Sequence, residues 1–415
     1  MAKKVADDSY RVDTKDPVAR FLTNRLGLDW HAVLLIALFI YGPLEKILIP
    51  NVAGYHPEFS SPMRTWIPDI QALVTGFVVF PFVFAYYIWS GRGIGRVFER
   101  LKHAKIFRDP GQFERFWTRA HRSFSHNGWW IVALVVALGA MAFWQFAVWS
   151  PHAAVPPWFD LVYKPPPSSS PKGDLGHFVY EYRLRPFGRG LSIFLIGCFA
   201  YALVQVVVRE ALTLYWLTRL WDDMEDDIVV QPYHHDNAGG LGAVGEHAVH
   251  LSAFVAVVLL FIVMGSFLPA LRVPTQGVTF DAPKVVDGSL VGTWIVYFAF
   301  LGSAIRPLFM RPHELMCHAR DIHVGVVSKE LNELIERQQE AVSKGSDKLE
   351  SISKRIDELK KVRSQIIEDV PVWPFTMELR IQLGLTSLPA LLLPVAKFGL
   401  QKGFDQLVNM FTGKT

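Results

Sequence analysis

The chain has 415 residues, of which 51% are hydrophobic and only 19% are charged. This composition is poor in charge for a soluble protein of such length and indicates a membrane protein. The formal net charge is only +4, and no basic face is interleaved with aromatic residues, which argues against nucleic acid as a partner.

Residues 1–30 form a polar segment ahead of the first long apolar run. Val18, Phe21, Leu22 and Leu26 share one helical face there, which predicts a short helix at the cytoplasmic membrane interface. An ordinary surface helix is the alternative. The segment has no apolar core followed by a small-residue cleavage site, so we expect the first span to direct its own insertion.

Six apolar runs are each close to the roughly 20 residues that a helix needs to cross a bilayer. They lie at 33–49, 70–89, 129–149, 191–217, 251–271 and 290–309. A buried core helix explains any single run, but six runs with tryptophans near their ends favour membrane spans. The sequence therefore predicts an all-α fold, a polytopic membrane helix bundle of about six spans within residues 31–320.

The connection 90–127, between the second and third runs, is strongly basic. Its basic residues include Arg92, Arg96, Arg100, Lys102 and Lys105. By the positive-inside rule, this loop and both chain termini are cytoplasmic. Apolar residues recur at helical spacing on both sides of a break at 109–111, which predicts two amphipathic helices. We expect their basic faces to contact anionic lipid, with packing on another protein as the alternative.

The fourth run contains two adjacent ionisable residues, Arg209 and Glu210. An unpaired charge at such a depth costs roughly a few kcal/mol. Neighbouring positions on a helix point about 100° apart, so we expect the two side chains to pair with other helices rather than with each other. They indicate either part of an ion or proton pathway or a structural ion pair between helices.

The loop 231–250 concentrates side chains of the metal-ligand type around a glycine-rich centre. The candidates are His234, His235, Asp236, Glu246, His247 and His250. Glu246 and His250 are four residues apart and share a helical face, and such groups suit a divalent metal or a proton relay. The alternative is that these side chains hydrogen-bond one another and cap helices at the membrane surface, where Asp236 or Asn237 is placed to cap the next helix.

Two short motifs carry a resemblance to a known group. Residues 235–242, HDNAGGLG, and residues 371–375, PVWPF, resemble patterns found in a group of uncharacterised bacterial polytopic inner-membrane proteins with an HDxAGGLG-type motif. The resemblance covers only these motifs. It implies a bacterial inner-membrane protein and brings no established activity with it.

The C-terminal part of the chain turns polar and helical. Apolar residues recur at three-four spacing over 321–369, with a break at 344–347, and Asp347 with Glu350 matches a capping box. This pattern predicts a cytoplasmic antiparallel helical hairpin, which offers a contact surface to a second subunit or to a cytoplasmic protein partner.

Residues 370–415 contain a further apolar stretch. Pro389 and Pro394 interrupt it, which predicts an interfacial or re-entrant helix, with a seventh span as the alternative.

Two functions fit these features, and both involve the membrane. The first is a homo-oligomeric channel or transporter in which Arg209, Glu246 and His250 converge in a water-accessible cavity that binds or gates an ion. The second is a membrane sensor or scaffold that recruits a partner through the hairpin. A membrane enzyme is a third hypothesis, and no nucleophile motif supports it.

Overall fold

The structure of the protein is a computed structural model. It describes residues 10–13, 15–43, 75–143, 186–231, 234–267, 298–300, 302–343, 349–370 and 372–373. Within these ranges the regular elements are helices, and β-type pairing is limited to one isolated antiparallel bridge between Phe107 and Ile228. The all-α prediction is confirmed for this part of the chain.

Bounds are defined for nine α-helices in the described ranges. They are α1 (Pro17–Arg20), α2 (Trp30–Phe39), α3 (Phe80–His103), α4 (Pro110–Phe124), α5 (Gly128–Phe143), α6 (Pro186–Asp223), α7 (Gly242–Phe267), α8 (Arg311–Ser343) and α9 (Leu349–Asp369). Residues 298–300 and 302–305 are also α-helical, and residues 40–43 continue α2 as a π-helical turn. Further π-helical turns are Phe21–Arg25 after α1, Thr75–Val79 before α3 and Arg306–Met310 before α8, and a 3₁₀ turn covers Glu225–Asp227.

Several of these helices are long and apolar enough to cross a membrane. Four continuous stretches meet this condition: Thr75–His103, Pro110–Phe143, Ile193–Asp223 and Gly242–Leu260. The helices Pro17–Arg25 and Trp30–Pro43 make a fifth if they are counted as one span, although the chain bends by 104° between them. The described residues therefore contain four or five candidate spans, and the prediction of about six spans stays a prediction, because all the predicted runs except 191–217 lie partly outside the described residues.

Helices α3 and α6 organise the bundle. Helix α3 packs against α2, α6 and α7, and α6 packs in addition against α4 and α5. On α5 the small residues Ala133 and Ala137 are buried one turn apart, and the Ala137 carbonyl lies beside Gly197 of α6. Val135 and Leu138 of the same helix are 62% and 55% exposed. Small residues at the helix contact and large apolar ones outside are typical of a helix in lipid.

The basic connection 90–127 differs in one respect from its prediction. Helix α3 runs unbroken from Phe80 to His103, so the first amphipathic helix is the end of the preceding span and not a separate element. Helix α4 begins at Pro110, within the predicted break at 109–111, and buries the apolar face that its sequence predicts. That face packs on α3 and α6 of the same chain.

Helices α8 and α9 pack against each other. Gln338 donates a hydrogen bond of 2.9 Å to Ser353, and Arg355 pairs with Glu330 at 3.2 Å. Near the start of α8 the His313 ring lies 2.6 Å from the carbonyl oxygen of Val372. These pairings define an antiparallel arrangement. Its cytoplasmic location stays a prediction, and the expected re-entrant helix lies outside the described residues.

Candidate functional site

Helix α6 carries two buried ionisable side chains that pair with different elements. Arg209 is 4% exposed and Glu210 is fully buried, although the two are adjacent in sequence. Arg209 points to the N-terminal segment and Glu210 points to α7. This divergence agrees with the expected angle of about 100° between neighbouring positions on a helix.

The Arg209 guanidinium has several partners. Its Nη2 atom lies 2.7 Å from Asp16 Oδ2, and Nη1 donates to the Tyr87 carbonyl at 2.8 Å and to Ser90 Oγ at 3.1 Å. The guanidinium also lies over the Tyr87 ring, 4.8 Å from its centroid. Because the charge is neutralised and the donors are shared among three residues, this side of α6 forms a structural ion pair.

The Asp16 carboxylate accepts hydrogen bonds from three parts of the chain. Besides Arg209, its carboxylate accepts hydrogen bonds from the hydroxyls of Tyr87 at 2.7 Å and Tyr201 at 2.9 Å. It also accepts the backbone N–H groups of Val18 and Ala19, which begin α1. Asp16 is not among the site residues expected from the sequence. An aspartate followed by a proline indicates the start of a helix. It does not predict that Asp16 pairs with Arg209, which is 193 residues away in the sequence.

The residues ahead of Asp16 are also inserted into the bundle. Arg11 and Asp13 form a buried ion pair, and the Val12 N–H donates to the Gly91 carbonyl of α3 at 3.0 Å. The Tyr10 ring stacks on Trp117 of α4 with centroids 5.1 Å apart. Residues 10–13 and 15–25, called the N-terminal strap below, therefore join α3, α4 and α6.

Most of the predicted apolar face, Val18, Phe21, Leu22 and Leu26, points away from this contact. Val18, Phe21 and Leu26 are exposed, Leu22 packs against the core, and Ala19 and Thr23 are buried. One side of the short helix thus packs on the bundle and the other side is exposed. A position at the membrane interface stays a prediction.

The Glu210 carboxylate has a different environment. Tyr86 of α3 donates its hydroxyl to Oε1 at 2.8 Å, and His247 Nε2 of α7 lies 3.1 Å from Oε2. The Glu210 and His247 side chains are both 0% exposed. The Nε2–Oε2 distance fits an ion pair, but the atoms are not aligned as a hydrogen bond. Within the described part of the chain, Oε2 and both ring nitrogens of His247 have no hydrogen-bond partner.

A series of polar residues leads from this pair to the surface of the protein. His250, one turn along α7 from His247, stacks on Trp89 with centroids 4.4 Å apart, and Trp89 lies 6.4 Å from the His247 ring. The His250 Nδ1 atom is 2.7 Å from the Glu246 carbonyl oxygen. The Glu246 carboxylate forms an exposed ion pair with Arg100 of α3.

The glycine-rich loop before α7 is built around Asp236. Its Oδ1 accepts the N–H groups of Ala238 at 2.9 Å and Gly240 at 3.1 Å, and Oδ2 accepts that of Gly242 at 3.0 Å. Partial burial opposes ionisation of Asp236, but these N–H groups and the His234 side chain outweigh it and lower the pKa of the carboxyl. Asp236 therefore caps α7, as one of the two sequence hypotheses proposed.

The two central glycines of this loop are required by its geometry. Gly239 and Gly240 have φ of +65° and +88°, which side chains rarely permit. A Cβ atom on Gly240 would in addition lie 2.4 Å from Ile106 Cγ2. The HDNAGGLG run thus encodes a tight capping turn that packs on the turn between α3 and α4, at Ala104 and Ile106.

The six candidate metal ligands do not form one shell. His234 pairs with Asp236 at 2.8 Å in the capping loop, whereas Glu246, His247 and His250 lie on α7, each with other partners. His235 is exposed and packs on the His234 ring. Among the described residues no group of three or more His, Cys, Asp or Glu side chains is arranged to hold a metal ion. The described residues thus do not show the single metal shell that was one of the two alternatives offered by the sequence.

The expected convergence of Arg209, Glu246 and His250 is also corrected. Arg209 is bound to Asp16, while the other two residues lie on α7 beside α3. A small pocket does adjoin Arg209, between the N-terminal strap, α5 and α6, and Gln205 lies in its wall. Neither Glu246 nor His250 lines this pocket.

The five predicted membrane-contact residues fall into two groups. Arg92, Arg96 and Lys105 are exposed. Arg100 and Lys102 are engaged in ion pairs, with Glu246 and with Glu114 of α4. Arg92, Arg96 and Lys105 keep the lipid-contact prediction open, whereas Arg100 and Lys102 make solvent-screened ion pairs to other helices.

The fold and site define a helical protein with several apolar helices long enough to span a membrane and with two ionisable clusters buried between them. Comparison of the chain with protein families, with curated protein sequences and with solved structures finds no match.

Proposed function

We propose that the protein moves ions across a membrane, as a channel or a transporter, and that the buried Glu210–His247 pair is the site at which the ion acts. The observation that carries this proposal is that both side chains are fully buried between apolar helices. Ionisable residues in such positions are costly to keep and mark ion or proton pathways by default.

The contrast with Arg209 strengthens the assignment. Arg209 and Asp16 share their hydrogen bonds with Tyr87, Ser90 and Tyr201, so that pair has an evident structural role. Glu210 and His247 have fewer partners, and three of their polar atoms have no hydrogen bond within the described part of the chain. Buried polar groups without partners are rare in folded proteins and are a reason to consider a functional role. The unsatisfied pair is the one that we assign to ion handling.

Reconstitution tests this function directly. The purified protein is placed in liposomes, and the fluxes of K⁺, Na⁺, Cl⁻ and H⁺ are measured against liposomes without protein. We expect at least one flux to rise and Glu210→Gln to change that flux about tenfold or more. Thr218→Val is the matched control, because Thr218 is half-buried on the same helix and bonds only to the Leu214 carbonyl among the contacts described for it.

Two results would overturn the proposal. The first is that no flux exceeds that of empty liposomes for any of the four ions. The second is that wild type and Glu210→Gln give equal fluxes while both remain folded in the liposomes.

A bacterial inner membrane with cytoplasmic chain termini is the location that we propose. The exposed Arg92 and Arg96 in the second half of α3, with Lys105 in the turn that follows, support a cytoplasmic position for the basic connection 90–127 under the positive-inside rule. Fusions of green fluorescent protein and alkaline phosphatase to residue 415 test it. Fluorescence without phosphatase activity is expected, and the reverse result would invert the topology.

A sensor or scaffold is the second candidate function. It is favoured by exposed apolar side chains on the α8–α9 pair, such as Ile322, Val326 and Val342. These residues can contact a second subunit or a cytoplasmic partner. If this function is correct, Val326→Gln will lower the oligomeric mass in detergent or weaken cross-linking in membranes, and Glu210→Gln will leave both unchanged.

A further inference from the structure

We infer that the ion handled by the Glu210–His247 pair is the proton, which reaches the pair from the exposed Arg100–Glu246 end of α7 by way of His250. This inference rests on the proposed function and specifies its substrate. It is carried by the size and chemistry of the buried site and by the order of protonatable groups between that site and the surface.

The site is unsuited to a metal cation. Calcium takes six to eight oxygen ligands and magnesium requires an octahedral shell of about six. Around Glu210 the described residues supply one carboxylate, the Tyr86 hydroxyl and the His247 ring. No set of three or more metal-type side chains occurs among the described residues. A proton needs neither a cavity nor a coordination shell, so it fits a packed pair of this kind.

The geometry specifies the atoms between which the proton moves. Tyr86 donates to Oε1 of Glu210, which leaves Oε2 as the oxygen next to His247 Nε2, 3.1 Å away. When the ring is an imidazolium and turns so that its Nε2–H points at Oε2, the N–H bond breaks and an O–H bond forms at Oε2. An imidazolium and a carboxylate thereby become a neutral imidazole and a carboxylic acid, and the net charge of the pair does not change.

His250 is placed to exchange protons with solvent. Its Nδ1 faces the Glu246 carbonyl oxygen, which can only accept, so Nδ1 carries a hydrogen and Nε2 is the exchangeable atom. His247 and His250 are three residues apart on α7, which places their Cβ atoms about 5–6 Å apart. A rotation of the ring or one water molecule bridges such a gap.

The other charged groups near the route have defined partners. Arg100 of α3 pairs with the Glu246 carboxylate at the surface, and Arg209 turns away from Glu210 to Asp16. Tyr86 contributes the remaining titratable group that contacts the pair from α3. The route therefore runs along one face of α7, with Trp89 packed beside both histidine rings.

Infrared difference spectroscopy tests proton uptake independently of transport. The reconstituted protein is titrated from alkaline to acidic pH, and the C=O band of a buried carboxylic acid is followed in H₂O and D₂O. We expect a band in wild type and in Thr218→Val that is missing in Glu210→Gln and altered in His247→Gln. A wild-type spectrum identical to that of Glu210→Gln would overturn the inference.

Flux measurements with a pH-sensitive dye inside the liposomes test the route. We expect the proton flux to fall about tenfold or more in Glu210→Gln and His247→Gln, to fall less in His250→Gln and to persist in Thr218→Val. Flux of K⁺, Na⁺ or Cl⁻ without proton flux would overturn this inference and leave the proposed function standing. Absence of every flux would overturn the proposed function, whereas the infrared band would still report on the protonation of Glu210.

Discussion

Asp16 and Arg209 are separated by 193 residues and joined by an ion pair of 2.7 Å, with each side chain only 5% exposed. The pair ties the N-terminal strap to the middle of α6. Two charges that are withdrawn from water are costly unless each satisfies the other, so this contact keeps the strap in the bundle.

Replacing Asp16 with asparagine tests the importance of this contact. Asparagine preserves the cap at the start of α1 but leaves the Arg209 charge buried without its partner. Removing one member of a buried pair costs about 3–5 kcal/mol. We expect a clear drop in the thermal unfolding midpoint in detergent and faster proteolysis of the N-terminal strap.

Asp29→Asn is the control for this substitution. Asp29 also caps a helix, through the Ala32 N–H at 2.8 Å, but its side chain is exposed. The midpoint should hardly change in this variant. If Asp16→Asn were equally harmless, the ion pair would not anchor the strap.

Gly95→Ala is expected to displace the start of the strap. A Cβ atom at this position of α3 would lie 1.7 Å from the Tyr10 carbonyl oxygen, which is a backbone atom and has no flexible side chain to move. We expect residue 10 to leave its site beside Trp117 and the strap to become sensitive to protease. Gly139→Ala on α5 has open space around it and should cause neither change.

The direction of the α6 side chains could be predicted from the sequence, but their partners could not. Helical geometry is local, so the separation of Arg209 from Glu210 follows from their adjacency. Arg209 pairs with Asp16 and Glu210 pairs with His247 because of the way in which distant segments pack. Apolar periodicity similarly predicts the helices and does not predict which helix covers which.

The residues of the motif 235–242 form a capping turn, and not the single metal shell that was the other hypothesis for them. Histidine, aspartate and glycine are needed both for metal sites and for capping turns, so residue types alone do not distinguish them. The difference lies in the backbone. Positive φ at Gly239 and Gly240 directs the N–H groups of the turn onto Asp236, and this occupies the carboxylate that a metal would need.

The cap at Asp236 predicts a specific acid sensitivity. Because the folded-state pKa of this carboxyl lies below its ordinary value of 3.8, its stabilising contribution is complete above that pH. The contribution is lost as the pH falls through the lower folded-state pKa. We therefore expect the difference in unfolding midpoint between wild type and Asp236→Asn to be constant above pH 3.8 and to shrink below it.

Asp226→Asn is the control for this pH series, because Asp226 is an exposed carboxylate in the turn that precedes the loop. Its midpoint should follow that of wild type at each pH. A difference between wild type and Asp236→Asn that did not change with acidification would contradict the role of the ionised carboxylate.

The α8–α9 pair allows apolar packing to be compared with surface charge. Leu359 of α9 is 5% exposed, and replacing a buried leucine with alanine costs about 2–5 kcal/mol. Arg355 pairs with Glu330 at 3.2 Å, but both side chains are about half exposed, so solvent screens this pair and its loss should have little effect.

Hydrogen exchange at the backbone amides of α8 and α9 measures the difference between the two contacts. We expect Leu359→Ala to accelerate exchange in both helices and Arg355→Ala to leave it nearly unchanged. Equal acceleration in the two variants would mean that the ion pair, and not the apolar contact, holds the helices together.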